Sequence, residues 1–281
     1  MNAVATLPFI TTAPRDLGGW VSMLHQRDLP VPWTTALAIE ELCDHEDAVD
    51  AHLLAEVMAD DPLMTLKVLR HVAALRSRRS GTDAETVTAA LLLMGIPPFF
   101  RTFQSPTTVE DRLADHPRAL EGLTTVMRRA HRAARFALGF AVHRMDHDAA
   151  VLHEAALLHD FAEMLMWVHA PSLALQIADI QHADPTLRSA DVQRQVLNVT
   201  LSDLQQALMR TWRLPELLVS ISDDHVSTSP QVRNVQLAIR IARHSTLGWD
   251  NPALPDDYTD LSNLLNLAVT HVQQLLTELD A

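Results

Sequence analysis

Apolar residues recur at three- and four-residue steps through almost the whole chain, the period of helices that bury one face. The segment from Thr200 to Trp212 shows the pattern, with Leu201, Leu204, Leu208 and Trp212 on one stripe. Thr200 is placed to cap that helix, and Asp203 lies near the free N–H groups of its first turn. Leu214-Pro215 ends it, because the residue before a proline avoids the α region. Composition agrees: 281 residues contain only 7 glycines and 1 tyrosine, whereas sheets draw on glycine in hairpins and on aromatics in strands. The sequence predicts an all-α protein.

The helices fall into groups. Residues 1–14 read as an arm, and residues 15–104 as an N-terminal helical subdomain. Within it the periodicity predicts helices at about 15–26, from Trp33, and at about 50–59. Asp61 is placed to cap a helix that starts at Pro62, where a missing N–H costs nothing. Asp83 is read as the cap of a helix that stops at Gly95, and Pro97-Pro98 as the start of a short helix to Phe103. The polar stretch 105–116 reads as a linker, 117–250 as a second helical subdomain, and 251–281 as a C-terminal helix. The second subdomain is predicted to hold helices at 117–143, 148–168, 170–182, 186–197, 201–212, 215–224 and 230–247. The apolar stripe at 258–279 is expected to pack on this subdomain, with homodimerisation as the other use for it.

Charge narrows the partners. The formal net charge of −13 disfavours nucleic acid. The one tight basic cluster, Arg76, Arg78 and Arg79, reads as a solvated loop. Cys43 is the only cysteine, so no internal disulfide forms. The N-terminus has neither a basic start nor a long apolar core, and no apolar run nears the roughly 20 residues of a membrane span. A cytoplasmic protein without membrane partners is expected.

Fifteen histidines raise the question of metal chemistry. The sharpest feature is the adjacent pair His159-Asp160 in the run Leu157-Leu158-His159-Asp160, since both side chains can reach one ion and activate water for phosphate-ester hydrolysis. His131-Arg132-Ala133-Ala134 followed by Glu154 to Ala162 resembles the HD phosphohydrolase superfamily, and within it the HDOD (HD-related output domain) branch. Leu29-Pro30-Val31-Pro32, the segment Ala59 to Arg70, Ala89 to Gly95, and Trp212-Arg213-Leu214-Pro215 are similar to that branch in the same order. The resemblance covers about residues 20–250 and implies an HDOD-type bundle with an N-terminal helical half and an HD-like helical half.

The departures bear on function. By the resemblance, His131, His159 and Asp160 stand at the first ligand positions of catalytic HD enzymes. The next histidine position falls at Leu201, the later His-His pair at Asp224-His225, and the final aspartate at Arg243. Leucine cannot ligate, and an arginine beside a cation repels it. The Asn-Ser pair common in the first half of HDOD proteins is Ala73-Ala74 here.

The expectation is therefore a degenerate, non-catalytic site without metal or cofactor, in which His131, His159, Asp160, Asp224, His225 and Arg243 form a residual polar network. The resemblance implies a bacterial signal-transduction module whose partners are signalling proteins, with Pro97-Pro98-Phe99-Phe100 and the linker offering part of the contact surface. Two other readings stand beside it. One is a nucleotide or cyclic-dinucleotide binding module with Arg243 on a phosphate. The other is a metal-dependent phosphohydrolase compensated by Asp224, His225 and His244.

Overall fold

The computed structural model describes residues 7–76, 84–223 and 229–281. It is all-α, and the extended pairing among the described residues is an isolated bridge from Val31 to Thr108. The first half holds α1 (Leu17–Leu24), α2 (Trp33–Cys43), α3 (Ala51–Met58), α4 (Pro62–Arg76), α5 (Val87–Met94) and α6 (Ile96–Phe103). A short turn, α7 (Val109–Arg112), leads into the 28-residue α8 (Pro117–Arg144). The rest comprises α9 (Ala149–Leu158), α10 (Phe161–His169), α11 (Pro171–Ala183), α12 (Ser189–Leu197), α13 (Leu201–Trp212), α14 (Glu216–Ile221), α15 (Pro230–His244), α16 (Leu254–Leu265) and α17 (Val269–Asp280).

Local chemistry explains many of these boundaries. Asp61 Oδ1 accepts from the N–H groups of Leu63 and Met64 at the start of α4, and Thr200 Oγ1 accepts from Asp203 N at the start of α13. Gly95, at φ 81°, ends α5 in a conformation that a Cβ would disfavour. The cap of α5 is Thr86, whose hydroxyl accepts from Ala89 N. The Asp83 assigned that role from sequence lies outside the described residues, as do Arg78 and Arg79.

Two predicted helices divide. The stretch read as one helix over 148–168 breaks between α9 and α10 at His159-Asp160. The stretch read as one C-terminal helix becomes α16 and α17, separated by Asn266 in the left-handed region at φ 54°. Segment 105–116 is ordered, since Val31 N donates to Thr107 O and Val109 N donates to Val31 O, and Leu113 is buried. Phe99, Phe100 and Phe103 are buried as well. They are core residues rather than the exposed contact surface expected of Phe99-Phe100: their rings pack on one another within α6, and Phe103 meets His71 of α4 edge-on at 5.3 Å.

The helix α8 organises the second half. It buries Leu123, Val126, Phe136 and Phe140 together with Ala119, Ala130, Ala133, Ala134, Ala137 and Ala141, and the alanines let α9, α10 and α15 approach closely. Val272 and Leu276 dock α17 on the bundle, and Leu279 lies over Gly139 of α8. One hydrophobic cluster runs from Ile10 to Leu276, so the two halves share a core. Two indole N–H groups also cross between them: Trp20 donates to Leu197 O at 2.8 Å, and Trp212 donates to His25 O at 3.1 Å. No helix among the described residues is long and apolar enough to cross a membrane.

Candidate functional site

The break between α9 and α10 presents His159 and Asp160 to residues from two other helices. Arg129 of α8 reaches Asp160 Oδ2 with Nε at 3.0 Å and Nη2 at 2.7 Å, and Nη2 also contacts Glu163 at 2.7 Å. Arg243 of α15 places Nη2 2.6 Å from Asp160 Oδ1. His159 Nδ1 lies 3.1 Å from that same oxygen. Both carboxylate oxygens are thus engaged by guanidinium groups, which bond carboxylates strongly. Burial alone would push the Asp160 carboxyl up, but Arg243, then Arg129 and His159, hold it well below the usual range. The same carboxylates keep Arg129 protonated despite its burial.

The chemistry of this cluster differs from that of a metal site. A divalent ion needs free lone pairs from several ligands around it, and at Asp160 those directions carry N–H donors. No group of three or more histidine, cysteine, aspartate or glutamate side chains among the described residues is arranged to hold a metal. Leu201, the first residue of α13, lines a 310 Å³ cavity together with Arg129, Arg243 and Trp167. The position implied by the resemblance therefore does face the site, with an alkyl group there.

His131 belongs elsewhere. No hydrogen bond or ion pair joins it to His159 or Asp160. It lines a 460 Å³ cavity against the first half with Thr35, Asp60 and Asp61, and its buried Nε2 lacks a partner. Burial lowers its pKa, with Asp60 opposing and Arg135 reinforcing. Residues 129 and 131 are about 200° apart around a helix, so one turn of α8 sends Arg129 to Asp160 and His131 to the opposite side. Of the network expected of His131, His159, Asp160, Asp224, His225 and Arg243, the described residues bring His159, Asp160 and Arg243 together and set His131 apart from them. Asp224 and His225 lie outside the described residues.

His244, read as a compensating ligand, is engaged in another ion network. Its Nδ1 lies 2.6 Å from Asp257 Oδ2, and Arg240 of the same helix bridges Asp257 and Asp260. Between these networks lies a 510 Å³ cavity lined by His159, Arg233, Arg240, Arg243 and His244. Sequence reasoning missed Arg129, which donates two N–H groups to one oxygen of the Asp160 carboxylate. Its only sequence trace is its place two residues before His131, which gives no cue without the packing.

The comparisons bear on the family and the fold. The HDOD domain profile matches residues 29–227. A search of curated proteins finds no match. Among solved structures, the chain is similar to the MmoQ response regulator from Methylococcus capsulatus str. Bath, with TM-score 0.69 and 20% identity over 90% of this chain and 99% of that one. It is also similar to a virulence factor (cj0248) from Campylobacter jejuni subsp. jejuni, with TM-score 0.65 and 16% identity over 92% and 95%. An HDOD domain protein of unknown function from Geobacter sulfurreducens aligns with TM-score 0.50 and 14% identity over 94% and 98%. The helical bundle, the shared core of its two halves and the profile match over most of the chain lead to one assignment: this chain belongs to the HDOD family.

Proposed function

We propose that the chain is a non-catalytic bacterial regulatory module that acts in the cytoplasm through contacts with signalling proteins. The observation that carries this reading is the saturation of Asp160 by Arg129 and Arg243. A hydrolase of this architecture would need that carboxylate for a metal, and here two fixed cations occupy it. The apolar Leu201 on the same cavity removes a further ligand position. The likeness to a response regulator supports a role in signalling over one in metabolism.

The test is metal content and turnover of the full chain, untagged and purified without chelator. Less than about a tenth of an equivalent of iron, manganese or zinc is expected, since functional sites bind tightly. No hydrolysis of bis-p-nitrophenyl phosphate or cyclic di-GMP should follow addition of manganese or iron. Near-stoichiometric metal together with turnover would overturn the reading.

A second reading has one observation in its favour. The 510 Å³ cavity carries Arg233, Arg240 and Arg243, a composition suited to a nucleotide phosphate. It ranks lower because Arg240 and Arg243 already hold carboxylates of the chain itself.

A further inference from the structure

A different cavity has more cations than counterions. It lies between the end of α1, α4, α7 and the end of α10, with a volume of 460 Å³. Arg27, Lys67, Arg70 and Arg112 line it, against Asp28 as its one carboxylate. Asp28 is taken, because Lys67 Nζ lies 3.0 Å from its Oδ1.

Among the described residues, the three arginines bond to carbonyls and rings. Arg27 donates to Met23 O and Pro8 O at 3.2 and 2.9 Å, and Arg70 donates to Arg27 O at 2.9 Å. Arg112 donates to Val168 O at 3.4 Å and stacks on Phe9 at 3.9 Å, while its Nη2 is buried without a partner. Burial lowers the pKa of all three, opposed at Arg70 by Asp28 and reinforced at Arg112 by Arg27. In a chain with 35 acidic and 22 basic side chains, such a pocket is not an accident of composition. Other part-buried arginines of this protein, including Arg129, Arg132 and Arg144, do hold carboxylates.

His169 closes the cavity at the end of α10. It is 4% exposed, and its ring nitrogens make no hydrogen bond of good geometry, although the Asp28 backbone lies beside the ring. Burial, reinforced by Arg27 and Arg112 and opposed by the backbone and carboxylate of Asp28, pushes its pKa down to about 3, so the ring is neutral and carries a single N–H at the cavity.

We infer that this cavity binds a phosphate-bearing small molecule, with Arg27, Arg70 and Arg112 on the phosphate and His169 donating to one of its oxygens. A phosphomonoester is close to a dianion at neutral pH, so it compensates more of this charge than a monocarboxylate does. Its volume lies within the roughly 300–1,000 Å³ of small-molecule sites. Phe103, Pro30 and Pro106 supply an apolar wall for the organic part.

The experiment is calorimetric titration and thermal denaturation of the full chain with inorganic phosphate, pyrophosphate, AMP and GMP, each against chloride at matched ionic strength. Phosphate compounds should raise the midpoint beyond chloride, and a nucleoside monophosphate should bind at least as tightly as inorganic phosphate. Arg70→Gln and Arg112→Gln should each weaken binding at least about tenfold, as loss of a charge-assisted contact does. Arg243→Gln should leave binding unchanged, which separates this site from the Asp160 cluster. As a readout independent of variants, the His169 ring nitrogens should shift saturably in wild-type NMR spectra. The inference fails if no phosphate compound exceeds chloride, if the His169 resonances do not move, or if Arg243→Gln abolishes binding while Arg70→Gln does not.

Discussion

Arg243 Nη2 lies 2.6 Å from Asp160 Oδ1, so a cation anchored on α15 occupies one side of the carboxylate that α9 and α10 present at their junction. Arg129 occupies the other side from α8. Three helices are therefore fastened at a single carboxylate.

Removing the shared acceptor should cost more than removing either donor. Asp160→Ala leaves two guanidinium groups facing each other with only Glu163 to compensate, and a loss of about 3–5 kcal/mol is expected from breaking a buried pair. Arg243 is 47% exposed, so Arg243→Gln should cost only about 1 kcal/mol. Urea denaturation of both single variants and the double variant measures this. Equal losses for the two single variants would contradict the shared-acceptor description.

Glu154 should make stability fall with rising pH. It is buried, with Oε1 accepting from Val87 N at 2.6 Å and Oε2 unpartnered. Burial pushes its carboxyl from 4.5 up to about 8. Between those values the native state keeps a proton that the unfolded chain has released, so stability declines through that window and levels off above it. Glu154→Gln should flatten the decline and stabilise the protein at pH 8.5 by on the order of a few kcal/mol relative to wild type. Urea midpoints of both proteins at pH 5 and pH 8.5 decide it; parallel curves would count against this assignment.

Gly122 should resist substitution despite lying inside α8. Alanine there gains about 1 kcal/mol of helix propensity. Its Cβ would meet the Trp167 ring at 2.6 Å, well inside contact distance. Overpacking against a large ring costs about 1–3 kcal/mol, so Gly122→Ala should lower the thermal midpoint. A raised midpoint would mean that α10 yields easily at this contact.

Asp280 should hold the last helix in place. Arg132 of α8 grips it with Nε at 2.7 Å and Nη2 at 2.8 Å. Asp280→Ala should speed amide hydrogen exchange across 269–280 while leaving the α8–α9 core protected. Unchanged exchange in α17 would show that Val272 and Leu276 suffice.

What could be read from the sequence divides along physical lines. Caps and stops were legible because their chemistry is local: Asp61 before Pro62, Thr200 before Leu201, Gly95 after Met94. The break at His159-Asp160 was not, since Leu157 to Phe161 carries no glycine or proline, and the carboxylate's partners come from residues 129 and 243. The break at Asn266 could have been anticipated, because asparagine tolerates the left-handed conformation that ends helices. Arg243 was identified as a misfit for metal, whereas its bond to Asp160 required the fold. The arginines at 27, 70 and 112 are dispersed in sequence and become a group only when α4, α7 and the end of α1 meet.

A bound ion can be starved, chelated or oxidised away, but the guanidinium of Arg243 is part of the chain. The junction of α8, α10 and α15 is accordingly held by groups of the chain itself, Arg129 and Arg243 on Asp160. On the proposed reading, a protein fastened this way would not answer at that point to metal scarcity or to peroxide, and its regulation would act on some other part of its surface.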